Sequence, residues 1–287
     1  MRSTSILVPI DGSSQSLEAL SYATAIFPDA TVTLIHVIDP TYEWEDGPGP
    51  ANQWQQRAHR VATDLLAESR ATIDASVDDV ETHIGWGEPF REILRFAAAN
   101  PIDHIVLGRK GTTAARGLTL GGVAEAIMKR APVPVTLTPT FSGAGPVPPG
   151  HVLIALDGSD IAYQALAFAA DTFPFADYTA LTICALDIDT TRDIDGTYLA
   201  EVYEEAEATA EEILSTAATY AEDRGFDLRT RYRCGTPRDA IVRAAAEEGA
   251  DHVVVGHRGK SGVRRLLIGS VSAGVALRAT VPVTVYR

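Results

Sequence analysis

The sequence predicts an α/β protein of two repeated doubly wound domains, each a five-stranded parallel sheet with helices on both faces. Three observations predict it: the chain repeats itself in order, short apolar runs alternate with long amphipathic stretches, and a Gly/Pro/Ser-rich segment divides the two copies. Ile6-Leu7-Val8-Pro9-Ile10-Asp11-Gly12-Ser13 recurs as Val152-Leu153-Ile154-Ala155-Leu156-Asp157-Gly158-Ser159, an offset of 146. After a two-residue insertion the offset is 148, pairing Gly87-Glu88-Pro89 with Gly235-Thr236-Pro237, Asp103-His104 with Asp251-His252, and Gly108 with Gly256. Val133-Pro134-Val135-Thr136 closes the first copy as Val281-Pro282-Val283-Thr284 closes the second. The stretch Pro139–Gly150 (PTFSGAGPVPPG) reads as the linker, so the expected domains are 1–139 and 151–287 with 140–150 between them.

The elements follow in order. Ile6–Ile10 is a strand by its length and by the turn residues behind it; Ser13 or Ser14 can cap a helix over Ser16–Ile26, where Leu17, Leu20 and Ala23 recur at helical spacing. Thr31–Ile38 is the second strand. A Pro/Gly-rich loop then leads to a long helix over Ala51–Ala75 and a third strand over Val80–Gly85. Pro89–Ala99 starts on proline and is helical, His104–Leu107 is a buried strand, Gly122–Arg130 a helix and Val133–Thr138 the last strand. The second copy runs in the same order from Val152–Leu156 to Val281–Tyr286. In such sheets ligands lie beyond the carboxyl ends of the strands, where the strand order reverses.

Composition narrows the function. With 38 acidic against 24 basic residues the net charge is −14, a poor match to nucleic acid or anionic lipid. Only three of the basic residues are lysines; an acid-rich, lysine-poor surface suits high salt, and a GC-rich genome leaves the same arginine bias. No apolar run approaches the ~20 residues of a membrane-spanning helix, and the start of the chain lacks a signal-peptide pattern, so a cytoplasmic protein is expected. Two cysteines, Cys184 and Cys234, exclude a disulfide framework; nothing in the sequence pairs Cys234 with a partner. The seven histidines show no HxH or HExxH spacing, so no metal site is expected. His104 and His252, at equivalent strand starts, read as structural, as do His36 and Cys184, which occupy equivalent places in the second strand of each copy. Glu201–Glu212 reads as the solvated face of a helix.

The loop after the fourth strand of the second copy carries the chemistry. Gly256-His257-Arg258-Gly259 is followed by nine residues (KSGVRRLLI), then Gly269-Ser270 and a helix. Gly256 and Gly259 permit close backbone approach, and Gly269-Ser270 offers amides and a hydroxyl at a helix N-terminus, whose dipole favours anions. Arg258, Lys260, Arg264 and Arg265, with His257 when protonated, make a positive island in an acidic chain.

Here the sequence resembles the universal stress protein family, whose ATP signature is Gly, two residues, Gly, nine residues, then Gly-Ser or Gly-Thr. Gly256, Gly259, Gly269 and Ser270 match it in full, and the resemblance extends over both copies, with Asp11-Gly12-Ser13 and Asp157-Gly158-Ser159 as further support. It implies a Rossmann-like, adenine-nucleotide alpha-hydrolase-like fold and an ATP-binding stress sensor or regulator. By that resemblance Asp157 contacts the adenosine, Ala185 (often Val in the family) borders the adenine, and Gly256, Arg258 and Gly259 approach the ribose and phosphates. Gly269 and Ser270 hold the phosphate tail. ATP with or without Mg2+ is the implied cofactor, and AMP or cyclic AMP stay open. The first copy keeps Asp11, Val37, Gly108, Gly111 and Gly121, but Gly122 stands where Ser or Thr is expected. One lost hydrogen bond to a charged acceptor is worth about 1–2 kcal/mol, roughly a decade of affinity. The loop around Trp44 and Trp54 can cover the ligand in this family. Relatives commonly dimerise through the final strand, so an intramolecular pseudo-dimer or a homodimer is expected. No Walker-type motif or carboxylate pair serves phosphoryl transfer, so hydrolysis is expected to be slow at most. The alternatives are a nucleotide-free scaffold and a slow ATPase.

Overall fold

The computed structural model describes residues 4–41, 51–73, 79–110, 120–141, 145–184, 196–257 and 269–287. The chain divides into two compact units, Met1–Pro148 and Pro149–Arg287.

In the first unit β1 (Ser5–Pro9), α1 (Ser14–Ile26), β2 (Thr31–Ile38), α2 (Ala51–Ala71), β3 (Val80–Trp86), α3 (Pro89–Ala99), β4 (His104–Gly108), α4 (Gly122–Arg130) and β5 (Val135–Thr138) follow one another. The strands line up as β3-β2-β1-β4-β5, and every pairing is parallel. Helices α1 and α2 cover one face and α3 and α4 the other. Strands covered on both faces must be apolar along their length: Ile6, Leu7, Leu34, Ile35, Ile105 and Leu137 are all but inaccessible, each burial worth about 1.5–3 kcal/mol. Helix α1 starts at Ser14 because Ser13 takes the cap, its hydroxyl accepting from Ser16 N at 3.1 Å. Trp54, read from sequence as part of a covering loop, belongs to α2, where it packs edge-on against Trp86 at 6.0 Å, beside a cluster of Ile38, Ala58 and Ala62. The rest of that loop, Trp44 included, lies outside the described residues.

The second unit repeats the plan with β6 (His151–Leu156), α5 (Asp160–Thr172), β7 (Asp177–Cys184), α6 (Gly196–Arg224), β8 (Leu228–Cys234), α7 (Pro237–Glu247), β9 (His252–Gly256), α8 (Ser270–Arg278) and β10 (Val283–Tyr286). Its strands run β8-β7-β6-β9-β10, again all parallel. Helix α6 reaches 29 residues, and the glutamates between Glu201 and Glu212 are all exposed on it.

The same polar device recurs in both cores. His104 Nε2 lies 2.7 Å from Thr136 Oγ1 and its ring packs on Phe27; His252 Nε2 lies 2.8 Å from Thr284 Oγ1 and packs on Phe173. Each His opens the fourth strand of its unit, and each Thr sits on the strand beside it, so the pair ties those strands through a buried hydrogen bond. The preceding acids do similar work: Asp103 accepts from Ser5 N, and Asp251 from Gly150 N and His151 N, each clamping the entry of the first strand.

Candidate functional site

In each unit the strand order reverses once, between β1 and β4 and between β6 and β9. In the second unit Ala155 pairs with Val255, so the chain leaves the sheet at Asp157 and at Gly256 side by side. Asp157 does not project freely: its Oδ1 accepts from Ser159 N at 3.1 Å and from Ser159 Oγ at 2.6 Å, an Asx turn with Gly158 at φ 75°. Asp11 makes the same turn onto Ser13 in the first unit. The carboxylate is thereby held at a fixed point on the rim of the switch crevice.

The excursion after Gly256 is closed at its neck. His257 N donates to Tyr286 O at 2.8 Å, Gly269 N donates to His257 O at 2.8 Å, and Ser272 Oγ donates to Gly256 O at 2.6 Å. These bonds fix the start of α8 over the end of β9. Gly269, extended at φ −60° and ψ 144°, precedes the helix without a side-chain cap, and the helical ladder begins with Ala273 N on Gly269 O. The amides of Ser270, Val271 and Ser272 therefore have no intrahelical acceptor, and the first turn contains no acid. A helix start of this kind, opening at a switch point, is built to take an anion.

The first unit copies the backbone part of the neck, with Arg109 N on Thr138 O at 3.4 Å and Gly121 N on Arg109 O at 2.8 Å. Ala124 replaces Ser272 and its hydroxyl bond, and two further differences bear on the helix start. Gly122 brings no hydroxyl, and Glu125 places a carboxylate in the first turn of α4, where the second unit has Ala273. That acid opposes an anion at the helix start, although Lys129 one turn on is ion-paired with it. Burial pulls the Arg109 guanidinium down to about 10. Gly108 has a packing reason of its own: a Cβ there would lie 2.8 Å from both Cβ and O of Gln15 in α1. Gln15 also accepts from Lys110 N at 2.8 Å, so α1 presses on the end of β4. Val37, half-buried, packs over Gly85.

Of the residues expected from sequence, Asp157, Gly256, Gly269 and Ser270 meet at the second switch point, as do Asp11, Gly108 and Gly121 at the first. Ala185, Arg258, Gly259 and Gly111 lie outside the described residues. A shallow concavity of about 450 Å³, lined by Tyr163, Phe168, Tyr220, Arg224 and Tyr286, contains none of the site residues expected from sequence. Among the described residues no three His, Cys, Asp or Glu side chains gather as a metal site, and no helix is long and apolar enough to cross a membrane.

Sequence reading missed one pairing. Cys184, the last residue of β7, stands directly opposite Cys234, the last residue of β8. The sole local sign was that both end a strand just before its loop. The match between them depends on register across the whole of α6.

Comparison with known proteins agrees with this architecture. The family model described as "Universal stress protein family" matches residues 3–139 and again 149–287. A universal stress protein of Mycolicibacterium smegmatis is 28% identical over 98% of this chain and 96% of its own length. One of Synechocystis is 31% identical over 80% of this chain and 73% of its own. The crystal structure of a universal stress protein from Archaeoglobus fulgidus shares the fold with a TM-score of 0.74 at 23% identity, covering 100% of this chain and 99% of that one. Matched twice by the family model and aligned with such relatives over almost its full length, the chain belongs to the universal stress protein family as a tandem, two-domain member.

Proposed function

We propose that this protein binds ATP or a related adenine nucleotide in its second unit and acts as a nucleotide-dependent stress sensor or regulator without fast turnover. The observation that carries the reading is the uncapped, acid-free start of α8, held beside Gly256 and Asp157 at the strand-order reversal. Asp157 holds the adenosine end, Ala185 borders the adenine, Gly256, Arg258 and Gly259 follow the ribose and phosphates, and Gly269 and Ser270 take the phosphate tail. The arginine-rich loop favours a long phosphate tail and concentrates positive charge in a chain that is −14 overall. Mg2+ would accompany the phosphates. Asp11, Val37, Gly108, Gly111 and Gly121 form the corresponding, weaker site of the first unit, disfavoured by Gly122 and Glu125. Cytoplasmic location and pairing of the units, or of two chains, through the final strands belong to the same reading, which includes no nucleic-acid or membrane partner.

The test is to purify the protein without added nucleotide, denature it, and quantify the released adenine nucleotides by chromatography. About one ATP per chain is expected, because only one of the two helix starts is both hydroxyl-bearing and acid-free. Gly269→Val with Ser270→Ala should empty the protein. No released nucleotide, and no binding when ATP is added back at low or high salt, would overturn the proposal; ADP alone would point to slow hydrolysis.

A second expectation concerns the first unit. A Cβ at Gly122 meets nothing within 4 Å, so Gly122→Ser restores the hydroxyl without steric cost. In a protein whose second site is disabled, calorimetric titration should show ATP binding about tenfold tighter than with Gly122. Unchanged affinity would mean that the hydroxyl does not reach the phosphates.

A further inference from the structure

Cys184 and Cys234 are the two cysteines of the chain, and the fold brings them together. They end adjacent parallel strands in direct register, so both side chains stand on the same face of the sheet. Neighbouring strands lie about 4.8 Å apart, inside the ~4.4–6.8 Å Cα separation that a disulfide spans. Gly235 N donates to Cys184 O at 3.4 Å, so the two strand ends are held together. Strand β8 is at the edge of its sheet, with one flank unhindered by a further strand of its unit, which leaves its end room for a small adjustment. Exposure divides the pair: Cys234 is exposed and Cys184 is buried.

We propose that Cys184 and Cys234 form a redox-active dithiol, which a hydroperoxide oxidises to an intrachain disulfide between β7 and β8. The exposed Cys234 thiolate attacks the terminal peroxide oxygen; the O–O bond breaks, the alcohol or water leaves, and Cys234 becomes a sulfenic acid. The Cys184 sulfur then attacks the Cys234 sulfur, the S–O bond breaks, and the departing hydroxide takes the Cys184 proton and leaves as water. Two thiols lose two electrons and two protons, and the peroxide gains them. The division of roles fits the surroundings. Desolvation first, then the adjacent Cys234 thiol and Glu207, push the Cys184 thiol up to about 11, so it is a poor first nucleophile. It meets instead a sulfenic acid delivered to it in register. Small-molecule thiols reverse the reaction by exchange at the exposed sulfur.

The experiment exposes the whole protein to hydrogen peroxide, alkylates it with N-ethylmaleimide under denaturing conditions, and reads intact mass and disulfide-linked peptides. The wild type is expected to lose both alkylation sites, to become lighter by two hydrogens as a monomer, and to regain both sites with dithiothreitol. Cys184→Ser should halt at a Cys234 sulfenic acid that dimedone traps, and Cys234→Ser should keep Cys184 reduced through the same exposure. Retention of both thiols in the wild type under peroxide that oxidises free glutathione would overturn the proposal. So would a disulfide between two chains, or Cys234 passing to sulfinic acid as fast in the wild type as in Cys184→Ser. The wild-type measurement decides the matter whether or not either variant folds.

Discussion

Gly108→Val is expected to destabilise the first unit by about 3 kcal/mol, at the upper end of what overpacking costs. The position lacks space: a Cβ at Gly108 would sit 2.8 Å from Gln15 Cβ, 2.8 Å from Gln15 O and 2.9 Å from Gln15 C. Two of those atoms are backbone, so a rotamer change cannot relieve the contact; the first turns of α1 must shift as a body. That helix is anchored at its start by the Ser13 cap and by the turn that Asp11 makes onto Ser13, which resist the shift. The valine methyls add to the crowding that the Cβ begins. Gly122→Ala is the matched control, since a Cβ there meets nothing within 4 Å and alanine suits a helix better than glycine. Urea midpoints of nucleotide-free protein at unchanged m-value check the pair. A Gly108→Val protein within about 0.5 kcal/mol of wild type would show that α1 yields freely and that Gly108 serves only ligand approach.

Acidification is the second large effect. His104 is 2% exposed, and desolvation pulls its imidazole from 6.5 down to about 3. Its folded value lies below its unfolded one, so the unfolded chain binds the extra proton between the two. The stability contribution is therefore complete above about pH 6.5, falls by about 1.4 kcal/mol per pH unit below it, and is gone near pH 3. Between pH 7 and pH 4.5 the first unit should lose about 2–3 kcal/mol through this group alone. Glu18, raised mainly by desolvation, acts in the opposite sense, so the His104 share is read as the difference between wild type and His104→Gln. The variant should start less stable, having lost the fitted contact to Thr136 and Phe27, and should show a shallower acid slope. Equal slopes in the two proteins would remove His104 as the source.

The site was legible in the sequence to the extent that it is local. Gly256, Gly269 and Ser270 fall at fixed spacing behind a strand and before a helix, and spacing along one chain segment survives folding unchanged. Asp11 and Asp157 were legible as residues of interest, but not as Asx turns onto Ser13 and Ser159, which the backbone angles of the turn decide. Gly108 reads from sequence as a residue spared for a ligand; the distance to Gln15 adds a packing reason that spacing does not show. Glu125 against Ala273 could have been compared directly in the repeat, and its weight became clear once both stood in the first turn of an uncapped helix.

By itself the sequence determined the duplication, the order and type of the elements, and the place of the glycine-spaced loop before α8. The duplication is a match between two stretches of sequence. The elements and the loop are matters of periodicity and spacing within a few dozen consecutive residues, where local backbone geometry leaves few alternatives. The tertiary structure decided which strands are neighbours and in what register, and through that which distant side chains meet. Cys184 and Cys234 stand opposite each other because β7 and β8 pair across the 29 residues of α6, and His104 reaches Thr136 because β4 pairs with β5. A one-residue slip of either pair would turn one partner to the other face of the sheet. The burial of the apolar faces of all five strands together forbids that slip, and no single segment contains the information.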